Sequence, residues 1–474
     1  MNASPPAFPQ LAERFAAQRR AFAADPNPPL AVRRQRLDRL LALIDDNEKA
    51  FITAVDADFG GRAAQETRIA ELFVTRSAIV YARRRLARWM RTRRVPTALP
   101  FLPARNRLAA QPLGVVGVVS PWNYPIQLTL CPLVAALAAG DRALLKPSEL
   151  TPRVSALLAE LTARYFDPDL VSVVVGDAET GRAFVALPFD HLLFTGSTAV
   201  GRQVAAAAAA NLTPLTLELG GKSPAIFDAS CNLASASARV AAGKLFNAGQ
   251  TCVAPDYLMV PRGLADAAAA AIAAAAARLY PKLAANPDYT AIISERHRSR
   301  LVGLVAEARE AGARIVEINP AGESFADSRK LAPTIVLGAP QTTRLMREEI
   351  FGPLLPIVEY DAVDDAIAYV NRGERPLALY WFGRDAARRA RVLSETIAGG
   401  VTVNDCLLQF VQEGQPCGGV GASGVGAYHG EWGFRTFSKL KPVFHQSNLS
   451  GFPLLRPPYG KLTDWVLGAL KLLP

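Results

Sequence analysis

The chain has 474 residues, half of them apolar and a fifth charged, with a formal net charge of +11. This length predicts two or three domains, and the composition excludes a disordered or collagen-like chain. Five cysteines, none in a CxxC pair, exclude a disulfide framework or a cysteine-rich zinc site and fit a reducing compartment.

The opening residues, MNASPPAFPQ, have neither a basic n-region nor an apolar h-region. No signal peptide is expected, and the expected location is cytoplasmic. Apolar residues three and four apart predict helices over 11–47 and 66–89. Seven arginines crowd Arg83 to Arg94. Such a cluster can hold nucleic acid or anionic lipid, but it carries no interleaved aromatics and no nucleic-acid motif. A solvated helix face is the simpler reading, and no nucleic-acid partner is expected. The segment 94–107, with three prolines, reads as a connector or a sheet edge.

From Leu113 the texture changes. LGVVGVVS, ALLK, VSVVVG, HLLFTG and PLTLELGG read as short buried strands, each separated from the next by a helical stretch. That alternation predicts a doubly wound parallel sheet, which binds ligands at the carboxyl ends of its strands. A second alternating stretch runs from Asn232 to about Gly426, with DYLMV, ARIVEI, APTIVL and LLPIVEY as strand candidates. Ala267–Ala277 reads as a soluble alanine-rich helix. No apolar run reaches the roughly 18 residues of a membrane span. The tail after Val443 is rich in proline and apolar residues and offers at most a peripheral membrane contact.

Several residues carry candidate chemistry. Cys252, in FNAGQTCVAPDY, lies on a short constrained loop before a strand. A thiolate there would be a nucleophile, although a lone cysteine is more often a small hydrophobe. Cys131, Cys231, Cys406 and Cys417 are read in that second way. Glu218, in TPLTLELGGK, points to the opposite face from Leu217 and Leu219, and burial would make it a general base. Asn123, between the prolines of SPWNYP, can hold an oxyanion or simply serve the turn. FTGSTAVG places Gly196 and Ser197 between a strand and a helix N-terminus, a favourable place for an anion. It fails as an ATP-binding loop, because Arg202 and Gln203 stand where lysine and serine or threonine are required. In LLKPSE, Lys146 and Glu149 follow a strand where a ribose or phosphate would sit.

SPWNYP, LLKPSE, FTGSTAVG, LELGGKSP, NAGQTCVAPDY and REEIFGPLLPI occur in this order. Asn123 precedes Lys146 by 23 residues, Glu218 precedes Cys252 by 34, and Cys252 precedes Glu349 by 97. Motifs and spacings together resemble the aldehyde dehydrogenase superfamily over about residues 10–448. QTCVAPDY, FGPLLPI and the ending FSKLKPVF with RPPYGKL resemble its class 3 branch, and most closely the bacterial coniferyl aldehyde dehydrogenase group.

The resemblance implies an α/β chain: an NAD(P)-binding domain over 1–219 with 94–112 as a bridging segment, a catalytic domain over 220–426, and an oligomerisation segment and tail over 427–474. It implies Cys252 as nucleophile, Asn123 as oxyanion donor and Glu218 as the base for water. It places the cofactor, NAD with NADP as the second option, at Trp122, Lys146, Glu149, Gly196, Ser197, Gly220, Glu349 and Phe351. Tyr124, Leu128 and Phe410 would line an apolar substrate funnel. The expected substrate is an aromatic or medium-to-long aliphatic aldehyde, the expected assembly a homodimer, and no metal is expected. Three alternatives stay open: a CoA-acylating enzyme, a semialdehyde-specific enzyme of the same fold, and a non-redox thiol hydrolase. The hydrolase would need a histidine base, and none of the four histidines is identifiable as one.

Overall fold

The computed structural model describes residues 8–471. The first seven residues, on which the expected absence of a signal peptide rests in part, lie outside that range. The described chain builds three sheets.

The first sheet has six strands, in the order Gly424–Val425, Leu215–Glu218, His191–Thr195, Val115–Val119, Arg142–Lys146 and Val171–Val173. All neighbours run parallel except the Gly424–Val425 edge, which returns antiparallel beside Glu218. The central strands are buried at every residue except half-buried Val119, as the β-branched and apolar runs of a two-face-covered sheet require. Gln127–Ala139, buried at every residue, packs on one face. It ends at Gly140, whose φ of +101° supplies the left-handed helix stop.

The second sheet has seven strands. Their order is Arg314–Glu317, Thr334–Leu337, Leu354–Tyr360, Tyr257–Pro261, Pro224–Phe227, Ala378–Phe382 and Gly400–Val403. Only the Arg314–Glu317 edge is antiparallel. The four expected strands are present. PAIF, ALYWF and GVTV are additional strands, too short or too uniformly apolar to separate from buried helix by periodicity.

The third sheet is small and antiparallel: Arg93–Val95, Arg105–Pro112 and Ser438–His445. The segment expected as connector or edge therefore contributes two paired strands. The helical stretch 11–47 is two helices, Pro9–Ala24 and Leu30–Asp46, divided at Pro26, Pro28 and Pro29. A further helix, Lys461–Leu470, lies in the proline-rich tail. No helix among the described residues is long and apolar enough to cross a membrane.

Candidate active site

The carboxyl ends of the first sheet face the loop that precedes Tyr257–Pro261. Asn123 sits after Val115–Val119 and is 2 % exposed. Its Nδ2 donates to the Gln250 carbonyl at 3.2 Å. Its own carbonyl accepts from Arg62 Nη1 and from Asn247 Nδ2, each at 3.1 Å. Arg62 is fully buried and pairs with buried Glu71 at 3.0 Å. Glu71 Oε2 accepts the N–H groups of Ile126 and Gln127 at 2.7 and 3.3 Å. The Arg62 guanidinium also stacks on Phe59 and Tyr124, 4.9 Å from each ring. This ion pair clamps the Asn123–Gln127 turn from behind.

The cysteine loop is as tightly held. Helix Leu233–Leu245 is followed, after Phe246, by three left-handed residues, Asn247, Ala248 and Gly249, at φ +52°, +52° and +74°. Such backbone is costly for non-glycine residues and persists where the surroundings impose it. A Cβ at Gly249 would stand 2.3 Å from the Gly352 carbonyl, so glycine is required there. Glu66 accepts the Asn247 N–H at 3.0 Å. Gln250 donates to the Asn247 and Ala291 carbonyls and accepts from Ile293, each at 3.0 Å. Cys252 is thereby presented at a fixed position with partial access.

Two cavities meet at that cysteine. The first, about 250 Å³, is lined by Trp122, Asn123, Gly196, Ser197, Glu218, Gly220, Glu349 and Phe351, along with Cys252 and Leu128. The second, about 350 Å³, again has Cys252 and Leu128 in its wall. The rest of its lining is largely apolar and includes Tyr124, Phe410, Ile69, Phe73 and Phe246. The Tyr124 hydroxyl is satisfied by Thr251 Oγ1 at 2.6 Å. Arg239 and Asp405 also line the second cavity, but they pair with each other at 3.1 Å.

Burial dominates the electrostatics. It holds the Glu218 carboxyl well above its ordinary value, and Glu218 Oε1 has no hydrogen-bond partner among the described residues. Burial, then the nearby Glu349 and Glu218, pushes the Cys252 thiol up to about 12. Burial, with Asp256 adding to it, lifts Glu349 to about 7. At rest the thiol is therefore protonated, and it must lose that proton before it reacts.

The first cavity has walls whose chemistry suits the phosphate and ring portions of a dinucleotide. Ser197 caps helix Thr198–Ala209, leaving first-turn N–H groups toward the cavity. A Cβ at Gly220 would lie 2.2 Å from the Glu349 carboxylate, so only glycine permits that approach. The Trp122 ring meets Phe351 edge-on at 5.4 Å. Asp256 accepts the Ile350 N–H at 2.8 Å, and Lys222 donates to the Glu348 carbonyl at 2.9 Å, which fixes the Glu349–Phe351 turn. Lys146 and Glu149 lie outside both cavities, one strand over, where Val119 and Lys146 are in register. Their side chains pair at 3.7 Å.

Of the candidates from sequence, Asn123, Glu218 and Cys252 converge on one cavity wall. Glu218 is buried rather than solvated. His297 and Arg300 also line the first cavity and were not singled out. His297 donates or accepts at Ser294 Oγ through Nδ1 at 2.7 Å, and its ring packs on Trp122 at 5.1 Å. Nothing in ERHRSR distinguishes it from an ordinary helix start. The Arg62–Glu71 clamp was equally silent, because its partners are far apart in sequence.

The model of the aldehyde dehydrogenase family matches residues 9–443. A protein of Pseudomonas aeruginosa named as a probable coniferyl aldehyde dehydrogenase is 49 % identical, covering 95 % of this chain and 94 % of the relative. A coniferyl aldehyde dehydrogenase from another Pseudomonas strain is 46 % identical, covering 99 % and 98 %. Among solved structures, the substrate-bound state of Staphylococcus aureus AldH matches with a TM-score of 0.91 at 36 % identity, covering 97 % of this chain and 99 % of that one.

Proposed function

The chain belongs to the aldehyde dehydrogenase family, and from that premise we propose that it oxidises apolar aldehydes, aromatic or medium-to-long aliphatic, to carboxylic acids. One observation carries the reading: Cys252 is the shared wall between a polar cavity holding Asn123 and Glu218 and a largely apolar cavity. Coniferyl aldehyde is the first candidate, because the similar Pseudomonas proteins carry that name.

In this reading, the Cys252 thiol gives its proton to water in the cavity, and the thiolate Sγ bonds to the aldehyde carbon. The developing oxyanion is held by Asn123 Nδ2 and the Cys252 N–H, each donor contributing about 3 kcal/mol. NAD or NADP, when bound at Trp122, Gly196, Ser197, Gly220, Glu349 and Phe351, supplies the hydride acceptor. Lys146 and Glu149 hold its adenosine ribose. The carbon remains on Cys252 as a thioester. Glu218 takes a proton from water, the resulting hydroxide adds to the thioester carbon, and the C–S bond breaks. The acid leaves and the thiol is restored.

The competing readings fare worse. A CoA-acylating enzyme needs no water base, yet Glu218 lies buried in the same cavity as Cys252. A thiol hydrolase needs a histidine on the thiol, whereas His297 is bonded to Ser294 and packed on Trp122. A semialdehyde enzyme needs a free cation in the substrate cavity, whereas Arg239 is paired with Asp405. The test is the ratio of kcat/KM for cinnamaldehyde-type or C6–C10 aldehydes to that for acetaldehyde and succinic semialdehyde, followed by cofactor reduction without CoA. Each buried methylene contributes about 0.8 kcal/mol, so the expected ratio is well above unity. A ratio at or below unity would refute the apolar substrate.

A further inference from the structure

We infer that Arg239 and Asp405 form a specificity site for a hydroxyl group at the far end of an aromatic aldehyde, an inference that rests on the proposed oxidation of apolar aldehydes. The class it selects is a cinnamaldehyde with a free para-hydroxyl, rather than apolar aldehydes in general.

The largely apolar cavity grades from buried to open. Beside Cys252, its lining residues Tyr124, Gln127, Leu128 and Thr251 are all buried. Toward solvent, Ile69, Phe73, Leu408 and Val411 are exposed. Arg239 and Asp405 belong to that outer part, with side chains 48 % and 35 % exposed. Among the described residues they are the only Arg, Lys, Asp or Glu in this wall. Phe73, Phe246 and Phe410 line the same cavity and offer ring contacts to an aromatic substrate. A ring whose aldehyde lies at Cys252 therefore directs its far end toward the one charged pair. Pockets of this kind use a few placed polar groups to fix orientation. The buried polar groups do not compete for that role. The Tyr124 and Thr251 hydroxyls are bonded to each other, and Gln127 is only 2 % exposed.

The pair is held in place from both sides. Helix Leu233–Leu245 turns Arg239, Ala242 and Gly243, three and four residues apart, toward the cavity. A Cβ at Gly243 would stand 2.5 Å from the Cys406 Cβ, so glycine lets the Asp405–Cys406 loop close on the helix. Arg239 Nη1 donates to the Asn404 carbonyl and, at 3.1 Å, to Asp405 Oδ2. Asp405 Oδ1 accepts the Cys406 N–H at 2.8 Å. Asn404 and Leu407 flank the pair at φ +58° and +69°, backbone that persists where the surroundings impose it. A carboxylate has about four acceptor sites, and these contacts occupy one on each oxygen of Asp405. A phenolic O–H can therefore donate to Asp405 without displacing Arg239. Because Arg239 balances the carboxylate, the pair suits a neutral hydroxyl rather than an ionic group.

The test compares kcat/KM for 4-hydroxycinnamaldehyde and 4-methoxycinnamaldehyde with NAD. Both substituents donate electrons to the ring, but only the hydroxyl has a proton to share with Asp405. The full chain should prefer the hydroxyl compound by about tenfold or more. Asp405→Ala should bring that ratio close to unity, through a raised KM for the hydroxyl compound more than a lowered kcat. Asp405→Asn should move the ratio in the same direction, and serves if the alanine variant does not fold. Equal kcat/KM for the two compounds in the unaltered chain, or a preference that survives in both Asp405 variants, would overturn this inference alone. Unsubstituted cinnamaldehyde turned over no better than acetaldehyde would instead defeat the apolar-substrate reading, and this inference with it.

Discussion

At Cys252, burial works against reactivity. The thiol is pushed up to about 12 by desolvation and by two carboxyls. The chemistry therefore needs deprotonation at Cys252 and an ionised Glu218, whose carboxyl burial also raises. Raised pKa values move the rising limb of a pH–rate profile to higher pH. kcat/KM should accordingly increase between about pH 6 and pH 9, and a profile that falls over that span would contradict these roles. Cys252→Ala should lower turnover roughly 10⁴-fold or more while cofactor binding, followed by fluorescence, survives. Glu149 pairs with Lys146 at the end of the first sheet. A carboxylate there accepts ribose hydroxyls and repels a 2′-phosphate. Glu149→Gln should raise the NADP-to-NAD ratio of kcat/KM, on the order of tenfold. An unchanged ratio would remove Glu149 from the cofactor site.

At the scale of elements, the Asn123 turn depends on a buried ion pair it does not contain. Arg62 donates to the Asn123 carbonyl, and Glu71 collects the N–H groups of Ile126 and Gln127. Arg62→Met would leave Glu71 buried without its cation, which costs about 3 kcal/mol or more in stability. Urea unfolding should show that loss, and kcat should fall more than KM rises, since the turn positions an oxyanion donor rather than binding ground-state substrate. Arg62→Lys should recover part of the stability. Equal kinetics in Arg62→Met would mean that the turn holds itself. This clamp also shows where sequence reasoning ends. The first sheet was legible because β-branched runs bounded by Gly and Pro alternate with helical periodicity. Cys252, Glu218 and Asn123 each stand beside a backbone breaker at a strand or helix end, which marks them as candidates, but their roles rest on the resemblance of the whole ordered motif set. Arg62, Glu71 and His297 were not, because they sit within ordinary helical patterns and meet the site only through tertiary packing. The strands Pro224–Phe227 and Ala378–Phe382 escaped for a related reason: buried on both faces, they show no alternation.

Across the whole molecule, two buried histidines tie the fold to pH. Burial lowers His191 and His429 to about 4, and neither nitrogen of His429 has a partner among the described residues. An unfolded imidazole titrates near 6.5. Between those values the unfolded chain binds more protons than the folded one. The stabilisation is therefore complete above about pH 6.5 and is lost as pH falls toward 4, up to about 3 kcal/mol per group. Tm should drop steeply over that interval. His429→Asn tolerates the positive φ at this position and cannot titrate, so its Tm should vary less with pH. An unaltered slope would place the acid sensitivity elsewhere.

The central claim is that aldehyde carbon becomes bonded to Cys252 and waits there for a water activated by Glu218. Glu218→Gln should form reduced cofactor in a burst and then turn over on the order of 10²-fold more slowly. Intact and peptide mass spectrometry of that variant, quenched after the burst with cinnamaldehyde and NAD, reads the claim directly. The account predicts one acyl group per active chain, located on Cys252. A full burst with no adduct, or an adduct on any other residue, would contradict it.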